Sequence, residues 1–189
     1  MTVRVMLISP ARSAALREAR FGGEGPLDEA GLRSAERAVD AVPGAGRLLT
    51  APDGRCRQTA GALGLRATPE PAIREWDLGR WTGATLDELT GREPDAVAAW
   101  LADPSAAPHG GESLHRLCER AGGWLEGLAG EGGRVLAVAG PAVVRAAVLH
   151  ALALPAGVFW RLDVAPLTLT ELSGRAGRWN LRTGRPLEP

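Results

Sequence analysis

The sequence predicts an α/β fold, a three-layer α/β/α sandwich with a mostly parallel central sheet. Three observations carry that expectation. Two short apolar runs, Val3 to Ile8 and Val135 to Val138, have the length of buried strands, and each breaks into a loop containing proline. Helix-periodic stretches separate and follow them, so strands and helices alternate along the chain. The tail returns to short strand-like runs, as an antiparallel meander would. At 189 residues the chain is expected to form a single domain, 1–189, large enough to bury a real core.

The elements follow in order. Val3 to Ile8 reads as a buried central strand that ends in Ser9-Pro10-Ala11-Arg12-Ser13. Leu27 to Val42 reads as a helix: Asp28 suits its N-cap, and Leu32, Ala35, Val39 and Val42 recur at 3-4-3 spacing. Arg47 to Thr50 is a second short strand, leading through Ala51-Pro52-Asp53-Gly54 into a helix over about Arg55 to Leu63. Ala72 to Trp76 is a further strand or extended segment. The stretch 70–111 is rich in Pro, Gly and Trp and reads as an insertion over one end of the sheet. It holds short helices near Leu86 to Leu89 and Asp95 to Leu101.

Ser113 to Leu128 gives the clearest helical pattern, with Leu114, Leu117, Ala121, Trp124, Leu125 and Leu128 on one face. Val135 to Val138 is a buried strand that breaks at Ala139-Gly140-Pro141. Pro141 suits the first turn of the next helix, to about Ala151. Leu162 to Val164, Leu167 to Leu172 and Arg178 to Leu181 read as two or three strands, with a turn at Gly174 to Gly177.

Composition narrows the function. Apolar residues make up 45% and charged residues 23%, ordinary for a soluble globular protein. A formal net charge of +0 removes any bulk attraction to nucleic acid or a membrane surface. Lysine and tyrosine are absent, while Ala, Gly, Arg and Pro are abundant, which reads as the codon bias of a GC-rich bacterium. Cys56 and Cys118 fall in helical patterns with no secretion signal before them, so reduced thiols and a cytoplasmic location are expected. Metal-ligand spacing is absent, so neither metal nor cofactor is expected. Nor does any apolar run reach the roughly 20 residues needed to cross a bilayer.

Four short motifs, in order, carry a resemblance. Arg20-Phe21-Gly22-Gly23 with Pro26-Leu27 and Gly31 comes first. Ala51-Pro52-Asp53-Gly54-Arg55-Cys56-Arg57-Gln58-Thr59-Ala60 is second. Glu75, Asp77, Gly79 and Gly83 form the third, and Gly110-Gly111-Glu112-Ser113 the fourth. Together they make nearly the whole chain resemble the histidine phosphatase (phosphoglycerate mutase-like) superfamily. In that family the Arg matching Arg55 binds phosphate, which suits a guanidinium at a helix start. The Glu matching Glu75 donates a proton to the leaving group.

The departures lie in the chemical core. The resemblance places the family's nucleophilic His at Pro10, which has no nucleophilic atom. The neighbouring phosphate-clamping Arg falls at Ser9, an Asn at Leu16 and the second His at Gly140. Losing a covalent nucleophile alone costs on the order of 10⁶ in turnover in other enzymes, and losing the charge clamp removes transition-state stabilisation as well. Phosphohistidine chemistry is therefore expected to be absent.

Two functions lead, ahead of a structural or partner-binding protein with a filled pocket and, last, a residual phosphatase using another nucleophile. One is a non-phosphatase pseudoenzyme binding a small anionic or carboxylate-bearing molecule. The other is a repurposed enzyme (isomerase, lyase or dehydratase, cyclase, or hydrolase) with Glu75 as acid or base and Arg55 as substrate anchor. Ser9, Arg12, Ser13, His109, Trp76 and Trp81 join Arg55 as candidate ligand contacts. Trp124 and Trp160 fit core positions, and His115 and His150 structural or surface ones. Whether the chain forms a homodimer is left open.

Overall fold

The computed structural model describes residues 1–22, 25–175 and 177–183. Gly23 of the first motif and residue 176 of the predicted 174–177 turn lie outside these. The sheet is built around the two apolar runs. β1 (Val3–Ile8) and β4 (Gly133–Val138) pair in parallel, from Val3 opposite Gly133 to Ile8 opposite Val138. Val5, Met6, Leu7, Ala137 and Val138 are fully buried, as continuous apolar runs require in a strand covered on both faces. β2 (Arg47–Thr50) lies parallel on the other side of β4, and two-residue β3 (Thr68–Pro69) completes that edge. The other edge is the antiparallel meander, β5 (Leu169–Arg175) against β1 and β6 (Arg178–Arg182) against β5. The strand order is β3-β2-β4-β1-β5-β6, and helices flank this mixed six-stranded sheet, as expected.

The helices are α1 (Ala14–Arg17), α2 (Glu29–Arg37), α3 (Gly54–Ala62), α4 (Leu86–Arg92), α5 (Pro94–Ala102), α6 (Leu114–Ala129) and α7 (Pro141–Ala151). Asp28 caps α2 as the sequence predicts, accepting from the Gly31 amide at 2.6 Å. Each of the six residues proposed for the α6 face is buried. α2 packs on α3, and α6 on α7.

Several boundaries differ. The Leu27 to Val42 pattern yields a shorter helix that tightens into a 3₁₀ turn at Val39–Ala41. Ala72 to Trp76 is not a strand; a 3₁₀ turn spans Pro71–Ile73, where Pro71 removes a ladder donor. Leu162 to Val164 forms no strand either; it follows a 3₁₀ segment at Ala156–Arg161 whose Phe159 is buried.

The stretch 70–111 is fastened by two glycines. Gly79, at φ +47°, lies against the His109 carbonyl, and Gly111 lies against that of Asp77; a Cβ at either would collide with backbone. The Glu112 amide donates to the Asp77 carbonyl at 2.8 Å and the Arg80 amide to the His109 carbonyl at 3.1 Å. The third and fourth motifs are therefore two halves of one crossing. Buried Glu112 pairs with Arg120 at 2.6 Å, and Arg120 also donates to the carbonyls of Ala72 and Arg74. That ties the chain just before Glu75 to α6.

Candidate functional site

The register brings three strands to an end at one level. Ile8 lies opposite Val138, and Val138 opposite Thr50. The next residues continue the ladder: the Ala139 amide donates to the Ile8 carbonyl and the Ala51 amide to that of Val138. Pro10, Gly140 and Asp53 therefore follow strands that end together, at the carboxyl side where open α/β sheets hold ligands.

α3 starts at that edge and carries Arg55 into its first turn, where the side chain is buried. Asp53 accepts from the backbone amide of Glu75 at 2.8 Å, fixing the chain so that the Glu75 carboxylate meets Arg55. Arg55 Nη2 donates to Glu75 Oε2 at 3.0 Å, and Glu75 Oε1 accepts from the Trp76 amide at 3.1 Å. Burial raises the Glu75 pKa; the Arg55 charge and the Trp76 amide oppose it. The same carboxylate presses on Gly140, the residue that caps α7, and a Cβ at Gly140 would collide with it. The space beside residue 140 is thus filled by the site's own acid.

A cleft of about 180 Å³ opens beside this pair. Arg55, Glu75, Trp76, Trp100, Phe159 and Trp160 line it together with Arg145 and Leu78. Leu16, Arg20, Phe21 and Gly22, from the loop region after β1, also line it, as do Pro141 and Ala142 at the start of α7. The aromatic wall is continuous: ring centroids are 5.4 Å apart for Trp76 and Trp100, 4.7 Å for Trp100 and Trp160, and 5.3 Å for Trp76 and Phe159. Arg145 reaches in from α7 with its guanidinium 5.5 Å from the Phe159 ring centroid.

Of the predicted residues, Arg55, Glu75 and Trp76 meet in this cleft, as does Leu16. The others lie elsewhere. Ser9 is fully buried behind the sheet end, donating to the Ala165 carbonyl at 2.5 Å and accepting from the Thr168 amide at 2.9 Å. Ser13 caps α1 through the Leu16 amide. Arg12 points to the outside and pairs with Asp28 at 3.0 Å. His109 and Trp81 are buried against each other, their rings 5.2 Å apart, under the cleft wall rather than on it. Pro10 offers only its carbonyl, which accepts from the Leu167 amide. Trp160, expected in the core, is half-buried and faces the cleft.

Arg145, Trp100 and Phe159 were not foreseen as site residues. Only Arg145 carried a signal: it lies one turn into the helix that opens at the second strand end. Among the described residues, no group of three or more His, Cys, Asp or Glu is placed to hold a metal ion. No helix among them is long and apolar enough to cross a membrane. Cys56 is buried and Cys118 half-buried, both as free thiols.

The family model of the histidine phosphatase superfamily (branch 1) matches residues 11–185. Bifunctional protein Rv2228c of Mycobacterium tuberculosis is 29% identical over 181 residues, which take in 89% of this chain and 50% of that protein. The chain thus spans about half the length of that relative. Glucosyl-3-phosphoglycerate phosphatase of Mycolicibacterium vanbaalenii is 34% identical over 116 residues, 53% of this chain and 51% of that one. Among solved structures, the mycobacterial glucosyl-3-phosphoglycerate phosphatase Rv2419c superposes with a TM-score of 0.82 at 25% identity, covering 96% of this chain and 97% of its own.

Proposed function

The chain belongs to the histidine phosphatase superfamily, and from that premise we propose that it is a non-phosphatase member whose cleft binds a small anionic molecule. One observation carries this reading. Where the two strand ends approach the cleft stand Pro10, without a nucleophilic atom, and Gly140, whose side-chain space holds the Glu75 carboxylate. Glu75 in turn occupies the Arg55 guanidinium. The positive charge that would grip a phosphoryl group is neutralised from within, and no imidazole lines the cleft among the described residues. What remains is an aromatic pocket with Arg55 and Arg145 on its wall, suited to holding a small anion by charge and burial. Relatives named as phosphatases point the other way, so phosphatase turnover is the competing reading.

The test is native mass spectrometry of protein purified from its own host. A small anionic adduct, diminished in an Arg145→Gln variant that keeps its helical circular dichroism, is expected. Empty wild-type protein, or an adduct indifferent to Arg145, would count against the reading.

A second reading is favoured by the raised pKa of Glu75 on the cleft wall. A carboxyl that holds its proton above the ordinary range can act as a general acid toward an uncharged substrate. In this reading Arg55 holds the acid in place and also orients the substrate. Turnover of any candidate substrate that survives in Glu75→Gln would eliminate it.

A further inference from the structure

The charges in the cleft do not contribute equally. Arg55 is paired with Glu75 at 3.0 Å. Arg20, at the rim, is engaged by Glu18, Glu88 and the Gly83 carbonyl. Arg145 differs: among the described residues its guanidinium makes no ion pair, and its buried Nε finds no hydrogen-bond partner. The central carbon of its guanidinium lies over the Phe159 ring. The fields of Asp163 and Glu75 are felt at Arg145, yet neither pairs with it, so among the described residues Arg145 is the cleft cation left open to a ligand.

The geometry points to a small planar aromatic monocarboxylate as the ligand of this cleft, with its carboxylate on Arg145 and its ring against the Trp76–Trp100–Trp160 wall. This inference rests on reading the cleft as a small-anion site. One unpaired cation balances one negative charge. A phosphate monoester carries up to two, and its second would meet the fields of Asp163 and Glu75, both of which are felt at Arg145. A guanidinium fork engages a carboxylate through two parallel hydrogen bonds, and the orphan Nε–H is one of the donors such a pair uses. Trp100 and Trp160 meet edge to face, with 70° between their planes, so the wall offers both a ring face and a ring edge to a planar guest. At about 180 Å³ the space is well below the roughly 300–1,000 Å³ that houses drug-sized ligands, which limits the guest to about one ring with a short substituent.

Isothermal titration calorimetry of the full chain tests this with four probes: benzoate, cyclohexanecarboxylate, phenyl phosphate and inorganic phosphate. Benzoate is expected to bind at least about tenfold more tightly than each of the other three. Arg145→Gln is expected to weaken benzoate by about tenfold or more, as loss of a charge-assisted pair does, with its thermal midpoint recorded to confirm folding. Arg145→Lys, which keeps the charge and loses the fork, is expected to fall between. If either phosphate binds as tightly as benzoate, the aromatic carboxylate assignment fails while the small-anion reading stands. Cyclohexanecarboxylate matching benzoate, or benzoate indifferent to both Arg145 variants, also overturns it. Binding of none of the four probes would overturn the assignment and count against the small-anion reading together.

Discussion

Gly140 has φ −61° and ψ 155°, a conformation open to any residue, so its backbone does not require glycine. The requirement is steric, because the Glu75 carboxylate occupies the volume of a side chain there. Gly140→Ala is therefore expected to cost about 1–3 kcal/mol, as overpacking does. Urea unfolding of the two single variants and the double variant is expected to show a smaller cost in a Glu75→Ala background; equal costs in both backgrounds would mean that the two sites do not couple. Removing Arg55 instead leaves Glu75 buried without its partner, and Arg55→Ala is expected to lose about 3–5 kcal/mol. The same substitution removes an influence that lowers the Glu75 pKa. Carbon-detected NMR is expected to place the wild-type Glu75 midpoint above the ordinary glutamate value, and the Arg55→Ala midpoint higher still. A raised pKa means that the native chain keeps a proton the unfolded chain has lost. The stabilisation linked to Glu75 is thus present at low pH and fades as pH rises through the raised value. Arg55 and Glu75 were legible in the sequence because each sits in an ordered motif. Arg145, Trp100, Phe159 and Trp160 were not, because the cleft draws them from α7, α5 and a 3₁₀ segment far apart in sequence.

The motif strands and long helices were readable, β1 from its apolar run, α6 from its apolar periodicity and α7 from Pro141 at its start: β1, β2, α6 and α7 all lie within a few residues of their expected positions. Short elements were not. β3 has two residues, and the 3₁₀ turns at 71–73 and 156–161 are set by tertiary contacts of Ile73 and Phe159 rather than by any local period. The 70–111 segment shows what such contacts add. His109 sits under the cleft wall with Nδ1 accepting from the Gly111 amide at 3.0 Å, so the neutral ring carries its proton on Nε2. Burial lowers its pKa. The native chain therefore resists taking up a proton that the unfolded chain accepts. His109 contributes stability in full above the ordinary imidazole value, and that contribution is lost as pH falls through the lowered one. Thermal midpoints measured from about pH 7.5 down to about pH 5 are expected to fall more steeply for wild type than for His109→Gln. Parallel curves would place the acid sensitivity elsewhere.

At the scale of the whole molecule, the superfamily's mixed six-stranded sheet brings the ends of β1, β2 and β4 to one level beside the cleft. Pro10 and Gly140 follow two of those strand ends without lining the cleft, and on its wall Arg55 pairs with Glu75. On the proposed non-phosphatase reading, restoring one side chain is not enough. Pro10→His alone is expected to leave phosphatase activity at background, since the second imidazole is still absent and Glu75 occupies its space. The most direct measurement follows nitrophenolate release from p-nitrophenyl phosphate by the wild-type protein in rapid mixing. No burst and no turnover above buffer are expected. A burst equal to the protein concentration, with phosphate retained covalently on the chain, would contradict it.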